Sequence, residues 1–133
     1  MTNQDKTVLV TGGSGFIATH CILKLAAAGY KIKSTVRNLD RVSDLNKILD
    51  EAGSTYERLN KIDVDWVSAD LTKDEGWSEA VKGCDYVMHV ASPVALEEPK
   101  DENDLIVPAR EGTLRVIKAA NEEGVKKIVL TSS

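Results

Sequence analysis

Five short runs rich in β-branched residues alternate along this chain with stretches whose apolar residues recur at helical spacing. That alternation limits the fold more than any single residue does. Strands separated by a helix pair in parallel, because a parallel pair needs a crossover of about a dozen residues or more. The strand runs are Thr7 to Thr11, Lys31 to Val36, Asp63 to Ser68, Asp85 to Ala91 and Lys127 to Thr131. Helices are expected from Gly15 to about Ala28, Asp40 to about Ala52, Asp74 to Lys82 and Asp104 to Glu123. Their expected buried faces carry Ile17, Cys21, Ile22 and Leu25 in the first, and Val42, Leu45, Ile48 and Leu49 in the second. The last carries Ile106, Ala109, Val116, Ile117 and Ala120, and Gly29 and Gly53 read as helix stops. Right-handed crossovers then predict an α/β, doubly wound parallel sheet of five strands in order 3-2-1-4-5, with helices on both faces.

Composition narrows the function classes. The 133 residues suffice for one domain, and a hydrophobic share of 42% fits a chain that buries a core. A net charge of −4 argues against a nucleic-acid surface, which needs clustered Lys and Arg. The longest apolar run is Leu25-Ala26-Ala27-Ala28, far short of the roughly 20 residues that span a bilayer. Met1-Thr2-Asn3-Gln4-Asp5 has no secretory pattern, so a soluble cytoplasmic protein without a membrane partner is expected. Cys21 and Cys84 lie in periodic segments and read as small hydrophobes, and no metal site is expected. The acidic stretch Glu97-Glu98-Pro99-Lys100-Asp101-Glu102 reads as a solvated loop. Trp66 and Trp77 are expected at the sheet edge and the short helix, His89 inside the fourth strand, and His20 on the first helix as a structural or solvent-facing residue.

The strongest chemical signal is Thr11-Gly12-Gly13-Ser14-Gly15-Phe16-Ile17-Ala18, between the first strand and the first helix. Gly12 suits a tight turn, Gly15 lets the backbone approach a pyrophosphate, and Ala18 allows close helix-strand packing. The helix N-terminus adds outward amides and a partial positive charge. This strand–turn–helix context is that of a dinucleotide-binding Rossmann fold; a purely structural glycine turn is the alternative. The end of the second strand selects the cofactor. NAD sites carry an acidic residue about 20 positions on, whereas this chain has Arg37, 22 residues beyond Gly15. A guanidinium suits a 2′-phosphate, so NADP(H) is expected over NAD(H), with a plain surface arginine as the competing reading.

Several further motifs stand in order: Thr35-Val36-Arg37, Ala69-Asp70-Leu71, Lys82-Gly83-Cys84-Asp85, His89-Val90-Ala91-Ser92-Pro93, Glu111-Gly112-Thr113 and Ile128 to Ser133. Together with the glycine turn they make the chain resemble the extended short-chain dehydrogenases/reductases of the NAD-dependent epimerase/dehydratase family. The branch it resembles is that of the dihydroflavonol reductases and yeast-type aldehyde/ketone reductases. The resemblance implies that Gly12, Ser14, Gly15, Phe16 and Ile17 bind the pyrophosphate region and that Asp70 and Leu71 hold the adenine. Val90, Ala91 and Ser92 would lie under the nicotinamide ribose, and Thr131 and Ser132 beside the nicotinamide. Ser133 matches the catalytic serine that binds the substrate carbonyl oxygen.

Departures from the family are equally informative. Its proton-donating tyrosine stands four residues before a lysine, whereas Tyr30, Tyr56 and Tyr86 are followed at that spacing by Ser34, Asn60 and Val90. In relatives the pair lies beyond the matched serine. The chain therefore reads as an NAD(P)-binding domain over residues 1–133, the N-terminal part of a longer enzyme and inactive by itself. Asp44 stands where some relatives carry a lysine, with Arg41 near enough to compensate, and Pro108-Ala109 replaces an asparagine of many extended relatives. The expected function is the cofactor-binding portion of an oxidoreductase that reduces an aldehyde or ketone from NADPH, with a small-molecule carbonyl substrate and a homodimeric parent. The alternatives are a nucleotide-sugar epimerase/dehydratase and a non-catalytic dinucleotide-sensing module.

Overall fold

A computed structural model describes residues 5–59, 61–91 and 101–131. Its strands are β1 (Thr7–Val10), β2 (Lys31–Val36), β3 (Val64–Ser68), β4 (Tyr86–His89) and β5 (Lys127–Leu130). Between them lie α1 (Phe16–Ala27), α2 (Val42–Ala52), α3 (Trp77–Val81) and α4 (Asn103–Glu122). All four pairings are parallel and the order is β3-β2-β1-β4-β5, as the alternation of the sequence predicts. β1 is central and covered on both faces: Val8, Leu9 and Val10 are 2%, 0% and 0% exposed.

The two faces carry separate cores. Ala18, Ile22 and Leu23 of α1 and Leu49 of α2 bury Val8, Val10 and Ile32. On the other face Trp77, Ala80 and Val81 of α3 and Val116, Ala119 and Ala120 of α4 bury Leu9 and Val87. The crossovers through α1 and α2 thus run over one face, and those through α3 and α4 over the other. The carboxyl ends of β1 and β4 are left flanking a cleft, the switch point at which such sheets bind ligands.

Local details depart from the periodic reading for identifiable reasons. Asn38 accepts the Asp40 amide at 2.9 Å and starts a 3₁₀ turn over Leu39–Arg41, so α2 begins at Val42 rather than Asp40. α2 ends at Ala52 with Gly53 as its C-cap, as expected, but Gly53 does not take the left-handed conformation. Its backbone is right-handed helical, the chain continues in a wide turn over Gly53–Glu57, and Arg58 ends it at φ 54°. A Cβ at position 53 would lie 2.6 Å from Ile62 Cδ1, so the end of that side chain must shift to admit one. α3 is shorter than expected because the preceding residues are tied into a turn, Lys73 N donating to Asp70 O and Trp77 Nε1 to the Asp70 and Lys73 carbonyls. Ile17, Ile48 and Ile106, expected in the core, are exposed, and Leu23 is buried instead. Trp66 lies on the edge strand β3, donating to Asn46 Oδ1 at 2.9 Å, and Trp77 opens α3. Among the described residues no helix is long and apolar enough to cross a membrane.

Candidate functional site

The glycine turn sits at the carboxyl end of β1, beside the ends of β2 and β4. Gly12 takes φ 69°, a conformation that a side chain strains, and its amide donates to Thr35 Oγ1 at 3.0 Å. Gly13 N donates to Thr35 O at 2.7 Å and Gly15 N to Gly12 O at 2.9 Å. The three glycines are present for different reasons. A Cβ on Gly12 would lie 2.8 Å from Ala91 Cβ, so this glycine lets the β4 exit reach the turn. A Cβ on Gly13 would collide with Ser34 Oγ and the Trp66 ring. Gly15 has an ordinary φ of −83°, and a Cβ there would meet only the Gly12 carbonyl oxygen, at 3.3 Å. Packing within the fold explains Gly15 less than it explains Gly12 and Gly13.

Around this turn the surface is apolar or neutral. Ser14, Gly15, Phe16 and Ile17 are exposed, the first turn of α1 holds no acidic residue, and no side chain caps it. Its leading amides point along the axis toward the cleft. Phe16 stacks edge-on against His20, with ring centroids 4.6 Å apart.

The other expected site residues line the same edge. Arg37 is exposed just after β2, and its carbonyl accepts from Ser68 Oγ at 3.2 Å. Asp70 follows β3 and accepts from Thr72 N and Thr72 Oγ1 at 2.9 and 2.8 Å. The Thr72 amide chiefly holds its carboxyl below the usual range, with a smaller contribution from the Arg37 charge. Leu71 is buried against Gly112 of α4, and its carbonyl accepts from Arg115 Nη1 at 2.9 Å. Arg115 Nε also bonds Asp74 at 2.7 Å. Val90 and Ala91 leave β4 with their amides on Thr11 Oγ1, at 3.1 and 3.0 Å. Thr131 N donates to the His89 carbonyl at 3.2 Å. Ser92, Ser132 and Ser133 lie outside the described residues, as does the stretch 97–100 of the expected acidic loop.

Residues the sequence reading passed over complete the edge. Thr11 and Thr35 supply the hydroxyls that tie the glycine turn to β4 and β2, Gly13 packs it onto Ser34 and Trp66, and Arg115 braces the Asp70-Leu71 turn. His89 lies inside β4, as expected; it is buried and hydrogen-bonded there, and burial pushes its pKa down. Burial likewise raises both thiols, and Cys84 Sγ contacts the Ala80 carbonyl at 3.5 Å. Among the described residues no group of three or more His, Cys, Asp or Glu is placed to hold a metal.

A glycine turn at the switch point of a doubly wound parallel sheet defines the Rossmann class of nucleotide-binding α/β domains. Residues 9–133 match the 3-beta hydroxysteroid dehydrogenase/isomerase family, and the chain belongs to it. It is 41% identical over 134 residues to a dihydroflavonol 4-reductase of Hordeum vulgare, covering 100% of this chain and 36% of that protein. The chain thus spans about a third of the length of the curated relatives it matches. Among solved structures, Gre2 from Candida albicans in complex with NADPH superposes with a TM-score of 0.78 at 27% identity, over 96% of this chain and 37% of that one. A UDP-glucose 4-epimerase from Bifidobacterium longum, in complex with NAD+ and UDP, gives 0.72 at 27% identity over the same shares.

Proposed function

We propose that this chain is the NADP(H)-binding domain of a longer oxidoreductase that reduces an aldehyde or ketone. The observation that carries the reading is Gly15, an exposed glycine at the mouth of the α1 N-terminus where an added Cβ would meet only the Gly12 carbonyl oxygen, at 3.3 Å. A pyrophosphate there accounts for it, since any side chain would occupy the approach. Gly12, Ser14, Gly15, Phe16 and Ile17 form this seat. Arg37 pairs with the 2′-phosphate, and Asp70 and Leu71 hold the adenine end. Val90, Ala91 and Ser92 lie under the nicotinamide ribose, with Thr131 and Ser132 beside the nicotinamide. Ser133 binds the substrate carbonyl oxygen and polarises it. When bound, the reduced nicotinamide supplies the hydride, and the protein supplies position and electrostatics.

Two further observations support the reading. The relatives matched here include named reductases, and one solved neighbour is an NADPH complex. Tyr30 and Tyr86 meet edge-on at the amino end of the sheet, 6.5 Å apart, and Tyr56 is 74% exposed in the turn after α2. None of the three is placed at the carboxyl edge to donate a proton, so the proton donor is assigned to the longer protein. The epimerase neighbour keeps a nucleotide-sugar epimerase as the second reading. Arg37, in place of an acidic residue at the end of β2, favours the reductase.

Calorimetric titration of this chain with NADPH and with NADH, alongside a reductase assay on a panel of aldehydes and ketones, tests the proposal. Binding with a preference for NADPH and no measurable turnover is expected. Failure of the folded chain to bind either nucleotide would overturn the site, and equal affinities would overturn the role of Arg37.

A further inference from the structure

Thr11 and His89 form a hydrogen-bonded arrangement whose proton positions are fixed by their partners. Thr11 Oγ1 receives the amides of Val90 and Ala91 at 3.1 and 3.0 Å. Amides only donate, so both oxygen lone pairs are used and the hydroxyl proton must go elsewhere. Its remaining hydrogen-bond partner among the described residues is His89 Nδ1, 2.8 Å away and buried. A ring nitrogen that accepts carries no proton, which leaves the neutral imidazole protonated at Nε2, facing Thr113 Oγ1 of α4 at 3.5 Å. An imidazolium would direct a third donor at an oxygen already holding two, and the Thr11 proton would lose its acceptor. The burial of His89, 4% exposed, disfavours that charged form in the same direction. The His89 backbone adds a further tie, its carbonyl accepting from Thr131 N at 3.2 Å and Thr131 Oγ1 at 3.4 Å.

We propose that His89, as the Nε2–H tautomer, is a positioning residue for the dinucleotide site: it orients the Thr11 hydroxyl so that one oxygen captures both amides at the β4 exit and holds Ala91 against Gly12. This inference rests on the dinucleotide reading above. His89 itself touches no ligand. It acts through Thr11, and its effect is geometric, because Ala91 approaches the turn so closely that a Cβ on Gly12 would lie 2.8 Å from it. Without an acceptor at Nδ1 the hydroxyl must rotate to satisfy its own proton and give up an amide. The Val90-Ala91 segment is then free to move off the turn, although β4 remains paired with β1 and β5.

Substitutions separate the two ring nitrogens. His89→Asn keeps an acceptor at the Nδ1 position, His89→Gln keeps a polar group near Nε2 and vacates Nδ1, and His89→Leu keeps neither. Calorimetric titration with NADPH should leave Asn within about threefold of the parent, whereas Gln and Leu weaken binding about tenfold, the scale of one lost hydrogen bond. Amide exchange by NMR should speed up at Val90 and Ala91 in Gln and Leu and stay slow in Asn. In the otherwise unmodified chain, long-range ¹H–¹⁵N spectra of the two histidines, assigned with His20→Gln, should report His89 as the Nε2–H tautomer. An Nδ1–H or doubly protonated ring overturns the inference whether or not any variant folds. Equal losses in Asn, Gln and Leu overturn it as well, because they indicate a merely structural histidine; unchanged affinity in Gln and Leu does the same. Should the unmodified chain not bind NADPH, the dinucleotide reading falls and the positioning role falls with it. The tautomer and the amide exchange would then still show whether His89 holds the β4 exit, so the two failures are told apart.

Discussion

The two ends of this sheet are closed by different chemistry. At the amino end the stitching is charged and wet. Thr7 N donates to Asp85 Oδ2 at 2.9 Å, and Lys126 Nζ stands 3.6 Å from Asp85 Oδ1. The Thr7 amide chiefly holds the Asp85 carboxyl below its usual range. At the carboxyl ends of β1, β2 and β4 the same task falls to neutral groups, the hydroxyls of Thr11 and Thr35 and the ring of His89, with backbone amides as donors, and the charged ties are confined to the turn after β3, where Asp70 meets Thr72 and Arg115 meets Asp74. Charges at an exposed end are compensated by water and contribute little. A carboxylate in the glycine turn or the first turn of α1 would repel the phosphates proposed to bind there. The difference teaches where the chain keeps its electrostatic freedom: no carboxylate in the first turn of α1 opposes its dipole, while the Arg37 charge is shared with Asp70 across the ends of β2 and β3.

The largest expected effect separates two glycines within the neutral end. Gly13→Val should destabilise the fold by about 3 kcal/mol, because its side chain must displace Ser34 and Trp66. Gly15→Val should cost no more than about 1 kcal/mol of stability yet abolish NADPH binding. Chemical denaturation and titration of both variants would break the comparison if Gly15→Val bound normally.

Next in size is Arg37→Ala. It should weaken NADPH binding by about 1.5–3 kcal/mol, the scale of a hydrogen bond to a charged group, and leave NADH unaffected. Parallel titrations with the two nucleotides read the difference directly.

Arg115→Met should lower stability by about 1–2 kcal/mol in urea denaturation, mostly through the Leu71 carbonyl it leaves unpaired. Asp74 is 90% exposed and its share of that loss is small.

Asp70 gives a pH signature at the carboxyl end. Its pKa is lower in the folded chain than the ordinary 3.8, so its contribution is complete above that value and is lost as pH falls through the lowered one. Acid titration of stability should therefore be shallower in Asp70→Asn. The smallest effect belongs to the amino end, where Lys126→Met should shift the thermal midpoint only slightly, and not at all in high salt.

Periodicity and β-branched runs were enough to read the sheet order, because crossover length and handedness leave few arrangements. Residue-level burial was less legible. Ile17 and Ile48 sit at helical spacing from core positions, but the angle at which a helix meets the sheet decides which side of the stripe is covered, and spacing alone does not encode it. Gly53 ends α2 where its signal placed the stop, but its right-handed backbone and the turn that continues to Glu57 were not legible from the residue type. Gly12 and Gly15 stood out because both fall in one short motif between a strand and a helix, although the contacts of Gly12, with Thr35 and Ala91, are distant in sequence. Thr11 and His89 did not reveal their pairing, since 78 residues separate them and neither residue type announces a partner.

The contact of Ala91 with the glycine turn also has a consequence for how the site comes into being. The bond from Ala91 N to Thr11 Oγ1 closes a segment of 80 residues, and closing so long a loop carries an entropic cost that only the intervening strands and helices can offset. A chain emerging from the ribosome presents its glycine turn early, with α1 already able to form and Thr35 of β2 next to brace it, but its second brace is missing until β4 has been made and docked beside β1. Nucleotide affinity should then rise only once β4 has docked. Titrating progressively longer nascent chains with NADPH would time that event.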